Sequence, residues 1–221
     1  MSGTSLDGID FAFLETNGTN YVNRLLGKSY EYSNNYKLKV KRFIKKLQKN
    51  NSLIINEMDL YISKKFLKMT KIFINEFKID ISSIDYIGLS GQTVLHKPNK
   101  KISIQLGSGK FLSKTLNIKV IGNFRQNDIL MGGQGAPIGA FYHQYLSKKL
   151  NQNLVFINLG GIANICYCNN KKLIAFDTGP GNALIDDFIW KRVRKKFDKN
   201  GKLSNKGKLN KDILNSFLKN N

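Results

Sequence analysis

Ala175-Phe176-Asp177-Thr178-Gly179-Pro180-Gly181-Asn182 is the stretch on which the reading of this chain turns. The apolar run Leu173 to Phe176 predicts a short buried strand that delivers one carboxylate, Asp177, to a turn. Two glycines and a proline follow within four residues, and an amphipathic segment follows those. A carboxylate at the end of a buried strand, facing a glycine-rich turn, suits a base or a metal ligand in an α/β enzyme. Its plainer use is to hold a turn or the start of a helix.

Upstream, Asn158-Leu159-Gly160-Gly161-Ile162-Ala163-Asn164 joins two apolar runs. It reads either as a hairpin with Gly160 and Gly161 at its tip or as a phosphate-facing turn. A further glycine turn opens the chain: Gly3, Thr4, Ser5, Leu6, Asp7, Gly8, Ile9 and Asp10. Glycines let a backbone approach a phosphate closely, and successive amides form an anion nest. Thr4 and Ser5 add hydroxyl donors, and Asp7 is a candidate magnesium ligand, directly or through water. The spacing matches neither a Walker A loop nor a dinucleotide fingerprint, and an ordinary hairpin turn remains the alternative. Two phosphate-facing hairpins at the starts of two α/β halves, with a carboxylate nearby, resemble the nucleotide cleft of sugar kinases, actin and Hsp70.

The 221 residues allow one large core or two smaller ones, and 41% apolar residues suffice for a globular fold. No apolar run approaches membrane-spanning length, and no leader is expected. The net charge of +21 raises a nucleic-acid reading. The lysines are spread along helices among asparagine and isoleucine, so a solvated basic surface is preferred and no specific nucleic-acid partner is expected. Such a field helps draw in anionic substrates. Cys166 and Cys168 are expected on opposite faces of a strand, unbridged, as reduced cytoplasmic thiols.

Apolar periodicity predicts helices from Tyr36 to Gln48 and from Asn56 to Phe77. Strands are expected at residues 9–14, 21–32, 86–90, 102–106, 118–121, 154–159, 162–167 and 173–176. Pro137 suits the first turn of a helix running through His143 to about Lys149, and further helices are expected at 184–197 and 213–218. The order implies an α/β architecture of two related halves, with a boundary near Asn151. His96 is expected to face solvent from a loop, His143 to be a plain helix residue, and Trp190 to lie in the core. Asp128 is expected to cap a helix or stay exposed, with support of a neighbouring site residue as its other reading.

Five stretches, taken together and in order, carry a more specific likeness: Met1 to Gly8, Gly91-Gln92-Thr93, Gly132 to Pro137, Asn158 to Asn164 and Phe176 to Asn182. Together they resemble the anhydro-N-acetylmuramic acid kinase family, over essentially the whole chain. The resemblance implies a ribonuclease H-like actin/sugar-kinase fold, with a first lobe over 1–150 and the start of a second lobe over 151–221. It implies ATP and Mg2+, a small anhydro amino sugar as partner, a cytoplasmic setting in cell-wall recycling, and room for a homodimer. Asp177 would be the catalytic base that deprotonates the attacking water, and Gly3 to Asp10 with Gly160 and Gly161 would meet the nucleotide. Arg125 would hold the sugar's carboxylate, with a surface ion pair as its plainer role, and Gln134 and Asn182 would bond hydroxyls or fix turns.

Three departures from the family pattern qualify this. Ser90 stands where family members carry histidine, and Asn123 where they carry aspartate. Family members also have an apolar strand before the first turn and most of a second lobe after the last helix. On that ground the chain is expected to be weakly active or inactive alone, with aggregation-prone strand edges. The alternative expectation is a non-catalytic sugar- or nucleotide-binding remnant.

Overall fold

The computed structural model describes residues 1–3, 6–47, 55–169 and 171–219. It is a mixed α/β structure that divides into two units. The larger comprises Met1–Asn158 and Asn164–Asp177, the smaller Leu159–Ala163 and Thr178–Asn221.

The larger unit begins with an antiparallel hairpin of β1 (Gly8–Thr16) and β2 (Val22–Glu31). Its turn is organised by Asn17, whose Oδ1 accepts from the backbone amides of Thr19, Asn20 and Tyr21 at 3.1, 3.1 and 2.9 Å. Gly8 opens the hairpin because nothing larger fits: a Cβ there would stand 2.3 Å from the Tyr30 carbonyl oxygen. Two helices cover the hairpin. In α1 (Asn34–Leu47), Tyr36, Val40, Phe43 and Leu47 recur at spacings of four and three and are buried. In α2 (Ile55–Glu76), Met58, Ile62, Phe66, Met69 and Phe73 do the same. These stripes meet Leu6, Ile9, Val94, Leu106 and Leu112 in the main core. Each fully buried apolar side chain contributes roughly 1.5–3 kcal/mol, so the core rests on residues spread over the first half of the chain.

β3 (Tyr86–Leu89) and β6 (Lys119–Gly122) pair in parallel. Between them the chain forms an antiparallel hairpin, β4 (Gln92–Lys97) with β5 (Ile102–Leu106), and helix α3 (Gly109–Leu116). Ser108 caps α3 by accepting from the Phe111 amide at 3.1 Å. An apolar cavity of about 350 Å³ lies among β1, α2 and β3.

The first three residues tie the two hairpins together. Ser2 bridges Ile9 on one side and Gln92 on the other. Gln92, a strand residue with no solvent exposure, is the joint. Its Oε1 accepts from Ser2 Oγ at 2.5 Å, and its Nε2 donates to the Gly3 carbonyl at 3.1 Å. Tyr32 donates its hydroxyl proton to Ser2 Oγ at 2.9 Å, and burial pushes its phenol up to about 12. Replacing Gln92 by leucine keeps the volume but takes the acceptor from the buried Ser2 hydroxyl and one of the two donors from the Gly3 carbonyl. The expected loss is about 1–3 kcal/mol for such orphaned groups, read as a shift in the urea midpoint at unchanged slope.

Further on come two helices, α4 (Gln126–Leu130) and α5 (Ala140–Leu150). Strands β7 (Leu154–Leu159), β8 (Ile162–Cys168) and β9 (Leu173–Pro180) then form a sheet in that order. Within the larger unit, Ala140, Cys166 and Cys168 are buried against Leu154, Phe156, Leu173 and Ala175. His143 stacks on Phe156, ring centroids 4.1 Å apart, and burial lowers its pKa.

Four expectations need correction. Cys166 and Cys168 share one face, because alternate residues of a strand point the same way. Both are buried free thiols of a single cluster, and burial, then the Cys168 neighbour, pushes Cys166 up to about 11. Pro137 follows a cis peptide and precedes α5, which starts at Ala140, so it is not in that helix's first turn. His96 lies on β4 and is half-buried, not in a solvent-facing loop. Trp190 is 49% exposed.

The smaller unit carries α6 (Ala183–Val193) and α7 (Lys211–Leu218). Asn210 caps α7, its Oδ1 accepting from Asp212 and Ile213 amides at 3.0 and 3.1 Å. Between the helices, Asp198 gathers the amides of Leu203 and Ser204, both at 2.8 Å. These bonds, the Ser204 hydroxyl first, hold its carboxyl below the usual aspartate range. Among the described residues no helix is long and apolar enough to cross a membrane.

Candidate active site

The opening glycine turn is held from below and open above. Leu6 takes a left-handed backbone (φ 58°) and buries its side chain, anchoring the turn in the main core. Its amide donates to the Gly3 carbonyl at 3.2 Å. Gly3 is exposed, Gly8 is half-buried, and Ile9 is in the core. Thr4 and Ser5 lie outside the described residues. Asp7 projects into solvent, with Lys37 Nζ at 3.7 Å from its carboxylate. Asp10 is also exposed, and its Oδ1 accepts from Ser29 Oγ at 2.5 Å. Among the described residues no cluster of three or more histidine, cysteine, aspartate or glutamate side chains could cage a metal. A lone exposed carboxylate suits magnesium, which commonly takes one or two protein carboxylates and completes its shell with phosphate oxygens and water.

A second group of candidates gathers in the larger unit around Arg125, which precedes α4. Its Nη1 donates to the Gly135 carbonyl at 2.7 Å, while its Nε is buried without a partner among the described residues. The Gly135 amide in turn donates to Asp128 Oδ2 at 2.6 Å. The loop Gly132–Gly135 is therefore clamped at Gly135 from both sides, by a cation and by an anion. Gly135 is obligatory there: φ is +64°, and a Cβ would fall 2.8 Å from Ile129. Asp128 is exposed, as expected, and it holds a loop instead of capping a helix. Gln134 itself is exposed.

Asp177 belongs to this group. β9 runs on through Pro180, so Asp177 sits within the strand and is solvent-exposed, not at a strand end. It has no hydrogen bond or ion pair with any described residue, yet its charge acts on Arg125 and on His96. Burial lowers the Arg125 pKa, with Asp177 opposing. His96 is pulled below its ordinary value, first by burial and then by Arg125, while Asp177 and a bond to the Gln134 backbone pull it up. Local sequence carries no trace of His96 joining this group. Its signal is the pairing of β4 with β5, which sequence reading left out.

In the smaller unit the Gly160-Gly161 turn is fastened to the segment after Thr178. The amides of Gly181 and Asn182 donate to the carbonyls of Gly161 and Gly160 at 2.9 and 2.8 Å. Asn182 Nδ2 donates to the Leu159 carbonyl at 2.6 Å, and Thr178 Oγ1 to the Ala163 carbonyl at 3.1 Å. Asn182 thus fixes the turn with its own amide. Ser90 is half-buried beside Gly91, and Asn123 is exposed with a left-handed φ of 60°.

These parts define a class: mixed α/β proteins whose glycine turns accompany an exposed acid and a partly buried arginine. Comparison with known proteins narrows it. The model of the family described as "Anhydro-N-acetylmuramic acid kinase" matches residues 1–221. A protein of that name from Pelagibacter ubique (strain HTCC1062) is 40% identical over 100% of this chain and 60% of its own length. One from Rhodopseudomonas palustris (strain HaA2) is 36% identical over 94% of this chain and 59% of its own. One from Brucella canis is 35% identical over 99% and 61%. This chain belongs to the anhydro-N-acetylmuramic acid kinase family. It spans about 60% of the length of these relatives.

Proposed function

We propose that the chain supplies the base, the sugar-binding arginine and the nucleotide turns of an ATP-dependent kinase acting on 1,6-anhydro-N-acetylmuramic acid. The observation that carries this reading is Asp177: exposed, its carboxylate free of hydrogen bonds to any described residue, and within electrostatic reach of Arg125. A carboxylate spent on holding a turn would be bonded to that turn; this one is left for something that binds.

In the reaction, Asp177 takes a proton from a water whose oxygen attacks the anomeric carbon. The bond between that carbon and O6 breaks, O6 receives the γ-phosphoryl group, and ADP leaves. The products are N-acetylmuramic acid 6-phosphate and ADP, and the proton ends on the carboxylate. Water is a weak nucleophile until a base within hydrogen-bond reach removes its proton, so the exposed position of Asp177 suits the task. Arg125, clamped by Gly135, would hold the substrate's carboxylate. Phosphoryl transfer asks chiefly for alignment and charge neutralisation. Residues Gly3 to Asp10 would align the phosphates, Asp7 would hold magnesium, which would supply charge neutralisation at the phosphate oxygens, and the Gly160-Gly161 turn of the smaller unit would contribute its own nucleotide contacts. The antiparallel β1–β2 hairpin followed by the parallel β3–β6 pair supports a ribonuclease H-like lobe. A lobe boundary near Asn151 belongs to this reading.

The test is product analysis in 18O-labelled water with ATP and the anhydro sugar. The expected product carries phosphate at O6 and one 18O at the anomeric carbon. Phosphorylated sugar that retains the anhydro ring, or 18O in the phosphate instead, would overturn the assignment.

A further inference from the structure

A second cavity, of about 490 Å³, lies in the larger unit at the carboxyl ends of the parallel strands β3 and β6. In open α/β sheets ligands bind outside that end of the strands, and small-molecule sites span roughly 300–1,000 Å³. Ser90 and Asn123, the residues that follow the two strands, line this cavity with Ser103 and Gln105 of β5 and the apolar Leu89 and Ile104. Among the described residues no charged side chain lines it. Its walls are fixed from behind. The Gly107 amide donates to Asp59 Oδ1 and the Ser108 amide to Ser63 Oγ, both at 2.7 Å, so α2 holds the end of β5 in place. Gly91 lets the turn after β3 press on β5: its φ is +68°, and a Cβ there would stand 3.0 Å from the Gln105 Cβ. The hydrogen-bonding capacity of the lining is only partly used. Ser103 Oγ lies 2.8 Å from His96 Nδ1 and accepts from Gln105 Nε2 at 2.6 Å. Gln105 is thus tied by its donor end, and its Oε1 has no partner among the described residues. The Asn123 side-chain amide has none either, and Ser90 Oγ reaches only the carbonyl of its neighbour Gly91, at 3.5 Å.

We propose that this cleft takes the acetamido group of the sugar, with Gln105 and Asn123 as specificity-determining residues. An unspent amide oxygen, an unspent amide and a hydroxyl, set beside two apolar side chains, complement a neutral group that both donates and accepts. An acetamido group brings one N–H, one carbonyl oxygen and a methyl. Gln105 Oε1 would accept from the N–H, and the Asn123 amide would donate to the carbonyl. A carboxylate would enter without a counter-charge, and an unpaired charge is costly to take out of water. The inference rests on the proposed function for the identity of the sugar. It divides recognition in two: the carboxylate goes to Arg125, and the neutral substituent goes to the ends of β3 and β6.

The test is binding without ATP. The 15N-labelled chain is titrated with 1,6-anhydro-N-acetylmuramic acid and with an analogue that carries a hydroxyl in place of the acetamido group. The sugar is expected to shift the side-chain amide signals of Gln105 and Asn123 and to bind roughly tenfold more tightly than the analogue, the worth of one or two neutral hydrogen bonds. In Gln105→Leu that preference should fall to about twofold or less, with the analogue's affinity unchanged. Asn123→Gly should do the same, and it covers failure of the first variant to fold, since glycine accepts the left-handed φ of 60° that Asn123 adopts. Arg125→Ala should weaken both compounds alike. Equal affinity for sugar and analogue in the wild type overturns the inference, and so does a preference that survives both variants. Loss of both compounds by the same factor in Gln105→Leu and Asn123→Gly would mean a merely structural role and overturns it too. Binding of neither compound also overturns it. In each of these cases the 18O experiment still decides the reaction. A sugar that shows the preference but gives no phosphorylated product once ATP is added counts against the proposed function alone.

Discussion

Asp177→Asn is expected to slow sugar phosphorylation by roughly 10²–10⁴-fold, the range that a positioned general base contributes. The substitution is nearly isosteric, and Asp177 is exposed and bonded to no described residue, so thermal stability should be unchanged. Its charge does act on Arg125 and His96. Removing it leaves the guanidinium less opposed, and binding of the anionic sugar should hold or tighten slightly. The discriminating measurement is therefore a pair: single-turnover rate and sugar Kd for the same variant. A thousandfold rate loss with unchanged Kd supports the base. A rate within a fewfold of wild type would remove Asp177 from the chemistry, whatever happened to binding.

Arg125→Ala should act on the other side of that ledger. It deletes the bond from Nη1 to the Gly135 carbonyl and the buried, unpartnered Nε. Hydrogen bonds to charged groups contribute about 1.5–3 kcal/mol, so the sugar KM is expected to rise about 10- to 150-fold. The loop is also released on one side, with Asp128 still holding the Gly135 amide. Lysine at 125 keeps the charge but not the planar fork, and should recover only a minor part of the loss. ATP binding is the internal control. If Arg125→Ala weakened ATP and sugar alike, the arginine would belong to the fold or to the phosphates, not to the sugar.

How much of this was readable from sequence differs by element. α1 and α2 were legible because their apolar residues recur at three and four, and their observed ends, Asn34–Leu47 and Ile55–Glu76, fall within two residues of expectation. β4 was not legible, because Gln92 breaks its apolar alternation. A fully buried glutamine in a strand looks like a turn residue until its partners, Ser2 and Gly3 some 90 residues away, are seen. α3 and α4 were missed for being short, eight and five residues. With little more than two turns at most, periodicity has little to register. The sequence predicts that β9 ends at Phe176, because glycine and proline usually end a strand, whereas the strand continues to Pro180. The candidate site shows the same division. The individual glycine turns and Asp177 stand out by composition. That His96, Arg125, Gln134 and Asp177 share one neighbourhood is a tertiary fact, and nothing in local patterning encodes which loops meet. The site roles of the opening turn include Thr4 and Ser5, which the described residues do not contain.

The paired sulfurs of β8 have a practical consequence. They are the chain's only cysteines, both buried in the packing between α5 and the last sheet. An alkylating reagent can reach them only when that packing parts, and burial also disfavours the reactive thiolate of Cys166. Labelling kinetics followed by mass spectrometry would therefore clock the breathing of this region without any engineered probe. Slowing of that clock by added nucleotide or sugar would show which ligand steadies it.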